Sequence, residues 1–189
     1  SVSFTGGLVG GQAIAAACAP DFKPAQLELG GNNPVVVLDD ADLDGAATGI
    51  TELLTQLNGQ WCRALGRLII QGGIYDDLMA AVLEKFSQLV IGDSLSAESQ
   101  MGPIVHSGHL SMLKGRIAEY EAKGGKAHSS SSLPDLPGNF LAPTLITGVS
   151  SADAQEEIFG PVATVHRAAD DAEALALANG TPFGLEGYV

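Results

Sequence analysis

Apolar positions along the chain follow two alternating rhythms. Pro34-Val35-Val36-Val37-Leu38 is a continuous, β-branched run, the pattern of a strand buried on both faces. Arg67 to Gln71, Pro143 to Val149 and Pro161 to His166 predict further strands, and Ser1 to Phe4 and Gln26 to Leu29 predict two shorter ones. Ile74, Leu78, Ala81, Val82 and Phe86 recur at helical spacing, which predicts a helix over 74–89. Further helices are predicted over 12–19, 43–57, 109–123 and 170–179. The breakers agree. Pro20 and Pro24 end the first helix, and Gly124-Gly125 stop the one before them. Asp39, Asp40 and Asp42 gather where a helix begins, and acids favour its positive end. Between these elements lie a glycine-rich turn from Thr5 to Gly11, a loop from Gly92 to Val105 and an exposed serine loop over 129–132. Strands alternating with helices predict an α/β fold with a largely parallel sheet. A break in composition at Gly30-Gly31 predicts a boundary there, between residues 1–30 and 31–189.

Composition narrows the function. The chain has 189 residues, 46% hydrophobic and only 16% charged, which suits a buried α/β interior. Its net charge of −13, with no Lys/Arg cluster, excludes nucleic acid as a partner and disfavours anionic membranes. No apolar run reaches membrane-spanning length and no signal peptide is visible. Two cysteines, Cys18 and Cys62, do not make a disulfide framework, so a reducing, cytoplasmic setting is expected. The chain opens on Ser in a strand and closes on apolar Gly187-Tyr188-Val189, which reads as a segment of a longer protein.

Four places carry candidate chemistry. The strand, glycine turn and helix over 1–19 fit either a phosphate-binding turn or a tight packing turn. Glu28, at a strand end beside Gly30-Gly31, fits a ribose ligand, a base with a raised pKa, or a surface acid. Cys18 follows an alanine-rich run and reads as an inert core thiol. Cys62 is different: it sits in polar Asn58-Gly59-Gln60-Trp61-Cys62-Arg63, beside a cation, where a thiol can be activated. Glu156-Glu157-Ile158-Phe159-Gly160-Pro161 makes a rigid turn into a strand, which on its own reads as a solvated turn. The four histidines, His106, His109, His128 and His166, complete no recognised ligand set, so no metal is expected.

Taken in order, these motifs resemble the aldehyde dehydrogenase superfamily. Leu27-Glu28-Leu29-Gly30-Gly31 looks like its glutamate signature. Gly59-Gln60-Trp61-Cys62, with Arg67 five residues on, looks like its cysteine signature. Glu157-Ile158-Phe159-Gly160-Pro161 looks like its cofactor-ribose motif, and Phe4-Thr5-Gly6 like the segment before its cofactor-binding helix. The resemblance covers essentially the whole chain, with Cys62 34 positions after Glu28.

The resemblance implies the end of an NAD(P)-binding domain over 1–30, then a catalytic domain over 31–189 truncated at its C-terminus. It implies an NAD- or NADP-dependent oxidation of an aldehyde to an acid, with Cys62 as nucleophile and Glu28 as base. Thr5, Gly6, Gly7, Leu29, Glu157 and Phe159 become expected cofactor contacts. The expected partner is a small-molecule aldehyde, and the parent protein is expected to be a homo-oligomer. The 189 residues alone are expected to bind cofactor poorly and turn over little, because other family parts lie upstream and downstream. Gly7 stands where the family commonly has Ser, and Leu57 where an Asn is common. Arg63, beside the nucleophile, suggests a polar or anionic aldehyde. The rival readings are acyl transfer to coenzyme A, a Cys–His hydrolase, and a non-catalytic protein of similar fold; Glu28 favours water over coenzyme A.

Overall fold

A sheet of five strands runs in the spatial order β3 (Asn33–Val37), β4 (Leu65–Gln71), β7 (Val162–Ala168), β6 (Thr144–Thr147) and β5 (Lys126–His128). The structure is a computed structural model and describes residues 1–189. The pairs β3–β4, β4–β7 and β6–β7 are parallel; β5 closes one edge antiparallel to β6. A second, two-stranded parallel sheet joins β1 (Val2–Thr5) to β2 (Ala25–Glu28), with α1 (Leu8–Cys18) as its crossover.

Alternation along the central strands sorts side chains to two faces. Val35, Val37, Leu68, Ile70, Ala163 and Val165 face α2 (Leu43–Thr55) and α3 (Tyr75–Gln88), which supply Ile50, Leu54, Leu78, Val82 and Phe86. Burying each such side chain stabilises the fold by roughly 1.5–3 kcal/mol. On the other face, Ile146 and Val162 pack with Leu113 and Tyr120 of α4 (Ser107–Ala122), while Ile69 and Ala168 pack with Ala174 of α5 (Asp171–Asn179). The central unit is therefore a three-layer helix–sheet–helix stack.

The face of the sheet covered by α5 holds one large charged side chain. Arg67 is 1% exposed, and its guanidinium donates to Asn32 O (3.1 Å), Leu177 O (2.6 Å) and Ala178 O (2.8 Å). The last two are carbonyls at the C-terminal end of α5, where a cation is favoured. Burial without a carboxylate partner lowers the Arg67 pKa. Other helix ends follow their sequence signals. Asp42 caps α2 by accepting from Gly45 N (3.2 Å), and Asp170 caps α5 by accepting from Glu173 N (2.9 Å). Gly124 follows α4 at φ 96°, a left-handed position that ends the helix.

Three elements differ from the sequence reading. The glycine turn is shorter than expected: α1 begins at Leu8, and Gly10 and Gly11 lie inside it. They are glycine for closeness, since a Cβ on Gly10 would stand 2.8 Å from the Phe4 ring and one on Gly11 2.6 Å from a Leu29 methyl. The helix expected to reach residue 57 ends at Thr55, because Leu57, Asn58 and Gly59 turn left-handed (φ 51°, 59° and 68°). The edge strand β5 was not anticipated; it is three residues long, half polar and directly follows Gly124-Gly125.

Candidate active site

The left-handed stretch after α2 brings the chain to Cys62. Gly59 permits this geometry twice over: its φ is positive, and a Cβ there would stand 2.4 Å from the Gly160 carbonyl carbon. Side chains hold the approach in place. Asn58 donates through Nδ2 to Pro103 O (3.1 Å) and accepts Gly102 N (2.7 Å), and Gln60 accepts Val105 N (3.0 Å). Ala64 N then donates to Trp61 O (3.1 Å), closing a turn with Cys62 at its corner, before β4 begins. Cys62 is a free, half-buried thiol, and no protein acceptor takes its backbone N–H. Inside the turn, Asn33 Nδ2 donates to Cys62 O (2.8 Å) and Ala64 O (2.9 Å).

Gly30-Gly31 is where the three sequence motifs converge. A Cβ on Gly31 would stand 3.0 Å from the Cys62 carbonyl oxygen, and one on Gly30 2.0 Å from a Glu157 carboxylate oxygen. Gly31 N donates to Glu157 Oε1 (3.1 Å). Burial pushes the Glu157 carboxyl above the usual carboxylate range, and the Gly31 N–H offsets part of that. Glu28 ends β2 three residues before Gly31, so the two backbones lie within about 11 Å of each other. Its carbonyl accepts Gly6 N (3.0 Å), while its carboxylate is exposed and bonds to nothing in these residues.

A dinucleotide fits the residues at the start of α1. The helix is capped by Gly7 with no side-chain hydrogen bond, and its first internal bond is from Gly11 N to Gly7 O (3.1 Å). The amides ahead of Gly11 point out of the helix unpaired, and open space surrounds the Gly7 Cα, so a diphosphate can approach the backbone. Thr5 and Gly6 border this mouth; Leu29 turns its side chain under α1 against Gly11. Glu157 keeps one oxygen free of protein donors for a hydroxyl. Phe159 stands at φ 54° with its side chain 40% exposed. Its carbonyl is bonded by His109 Nε2 (2.7 Å), a contact the sequence did not reveal.

Arg63 has a carboxylate partner within the chain. Its Nε sits 2.7 Å from Glu186 Oε1, and this hydrogen bond raises its pKa. The ion pair engages Nε alone and leaves both terminal nitrogens of Arg63 without a protein acceptor. Arg63 also lies over the Trp61 ring (5.8 Å). Cys18 is buried, 6% exposed, as expected of a core thiol. His106 caps α4, its Nδ1 accepting His109 N (3.0 Å). Asn33 was passed over, because its only signal in the sequence is a polar side chain at the mouth of an apolar strand.

Comparison with known proteins gives a consistent result. The aldehyde dehydrogenase family model matches residues 1–189. A glutarate-semialdehyde dehydrogenase of Pseudomonas aeruginosa is 38% identical over 99% of this chain and 39% of its own length. The NADP-dependent succinate-semialdehyde dehydrogenase of Escherichia coli is 36% identical over the same shares. Among solved structures, betaine aldehyde dehydrogenase from Staphylococcus aureus with bound NAD+ superposes with a TM-score of 0.91, at 32% identity over 98% of this chain and 38% of that one. The chain spans about two fifths of the length of the curated relatives it matches.

Proposed function

The chain belongs to the aldehyde dehydrogenase family, and from that premise we propose that it carries the nucleophile, the base and the ribose-binding loop of an NAD(P)-dependent oxidation of an aldehyde to a carboxylic acid. One observation carries the reading: Cys62, Glu157 and the end of the Glu28 strand meet at a single pair of glycines. Residues 1–30 belong to the cofactor domain and 31–189 to the catalytic domain.

Cys62 acts as a thiolate on the aldehyde carbon, and the carbonyl electrons move to oxygen. The free Cys62 N–H donates to that oxyanion. Bound nicotinamide supplies a hydride acceptor. Loss of hydride leaves an acyl group on Cys62 as a thioester. Glu28 then takes a proton from water as that water attacks the thioester carbon, and the Cys62 thiolate leaves. Exposure of Glu28 lets water reach it. When the cofactor is bound, Glu157 would hold a ribose hydroxyl, Phe159 would contact the nicotinamide, and Thr5, Gly6, Gly7 and Leu29 would contact the diphosphate. A reducing, cytoplasmic compartment suits a mechanism that needs a free thiol. The relatives' names put carboxylate-bearing semialdehydes first among candidate substrates.

The test is NAD(P)H formation by the whole protein with a panel of aldehydes. Cys62→Ala should abolish turnover. Glu28→Gln should release one equivalent of reduced cofactor and then stall as a thioester. Equal rates in wild type and Cys62→Ala would sink the reading.

A further inference from the structure

The turn that carries Cys62 presents three successive carbonyls, and the two outer ones are held by one side chain from a distant part of the chain. Asn33 Nδ2 donates to Cys62 O (2.8 Å) and Ala64 O (2.9 Å), and the Tyr188 hydroxyl, which gives its one proton to the Glu186 carboxylate, lies 3.2 Å from Arg63 O. Asn33 is 2% exposed, and its Oδ1 accepts Glu186 N (3.2 Å). Both ends of that amide are therefore committed, which fixes which way it points. Glu186 also grips Arg63 Nε. Two independent parts of the fold, the first residue of β3 and the segment 186–188, thus close on the same four-residue turn.

Resting on the reading of Cys62 as nucleophile, we propose that Asn33, backed by Glu186 and the Tyr188 hydroxyl bonded to it, is a positioning residue that aims Cys62 at the reacting carbonyl. A short turn has few internal bonds to define it; here only Ala64 N to Trp61 O lies within it. The amide of Asn33 bridges both ends of the corner and ties it to the sheet. Thiol and Cys62 N–H then stay in one fixed relation, which attack and oxyanion stabilisation both need. A misplacement of about 1 Å can cost on the order of 10²-fold in rate.

The experiment compares Asn33→Ser and Tyr188→Phe with wild type in the whole protein, reading kcat and both KM values. Asn33→Ser should lower kcat on the order of 10²-fold while the KM for the nicotinamide cofactor stays within about twofold. Tyr188→Phe, which keeps its ring, should lower kcat roughly three- to tenfold in the same pattern. The double variant should lose less than the product of the two, because both act on one turn. The proposal is overturned if kcat stays within about twofold of wild type in both variants. It is equally overturned if kcat falls only in step with a rise in cofactor KM, the mark of general loosening. Should Asn33→Ser fail to fold, Tyr188→Phe decides alone, and an unchanged kcat ends the proposal. Wild-type activity in Cys62→Ala would instead show that the nucleophile reading, not the clamp, has failed.

Discussion

The two sheets of this chain are built on opposite terms. The five-stranded sheet is covered on both faces, and its largest buried cluster holds fifteen side chains, among them Ile50, Leu54, Leu68, Leu78 and Phe86, all at most 1% exposed. The two-stranded sheet has almost nothing buried: Cys18 is the only buried apolar side chain in the first 30 residues, while Val9 is 83% exposed and Phe22 93%. Yet both contribute to the candidate site, which lies where β2 runs into Gly30-Gly31. The larger sheet fixes Cys62 and Glu157. The small sheet leaves backbone amides and Glu28 exposed. On the function proposed above, a nucleophile held in a packed frame and a ligand mouth left open are different demands, and the chain meets them with different amounts of core.

Two phenylalanines should break the comparison most sharply. Phe86 is fully buried in α3 and Phe22 is almost fully exposed. Phe86→Ala is expected to cost about 3–5 kcal/mol in unfolding free energy, while Phe22→Ala stays within about 0.5 kcal/mol. Denaturant titration of both variants checks this. A large loss from Phe22→Ala would mean that the small sheet has a core of its own.

A buried histidine gives the next largest effect. His166 is 7% exposed on β7, bonded to Thr164 Oγ1 (3.0 Å), and burial, aided by the Arg67 charge, lowers its pKa to about 4. Unfolded, it titrates near 6.5. Between those values the unfolded chain binds more protons. His166 therefore contributes its full stability above pH 6.5, and that contribution is lost as pH falls towards 4. The loss is roughly 2–3 kcal/mol. Stability measured against pH in wild type and His166→Gln should diverge over this window, with the variant less steep. Parallel curves would show that His166 takes up its proton without unfolding.

Much of the rigid sheet was legible in the sequence because its signals are local and repeated. The run from Pro34 to Leu38 and the spacing of Ile74, Leu78, Val82 and Phe86 each declare an element unaided. What stayed hidden depends on contacts between distant residues. Gly10 and Gly11 read as turn glycines, but they are glycine because Phe4 and Leu29 leave no room for a Cβ within the helix. The left-handed path of Leu57 and Asn58 is held by Gly102, Pro103 and the close approach of Gly160. The partner of Arg63, Glu186, lies 123 residues away in sequence. The motifs around Glu28, Cys62 and Glu157 were visible; the amide of Asn33 that ties two of their neighbours together was not.

The finest contrast is between two helix glycines, Gly11 in α1 and Gly115 in α4. In an open helix interior, glycine to alanine stabilises by roughly 0.5–1 kcal/mol, because alanine loses less backbone entropy. Gly115 is exposed with nothing within 4 Å of a new Cβ, so Gly115→Ala should realise that gain. Gly11 is buried, and its Cβ would stand 2.6 and 2.7 Å from the two Leu29 methyls. Displacing them costs about 1–3 kcal/mol, which exceeds the entropic gain, so Gly11→Ala should be destabilising by about 1 kcal/mol. The sign difference, read from paired melting curves, isolates packing from propensity, since the substitution is the same. If both variants melt higher than wild type, Leu29 does not seat against α1, and the small sheet is held by its backbone ladder alone.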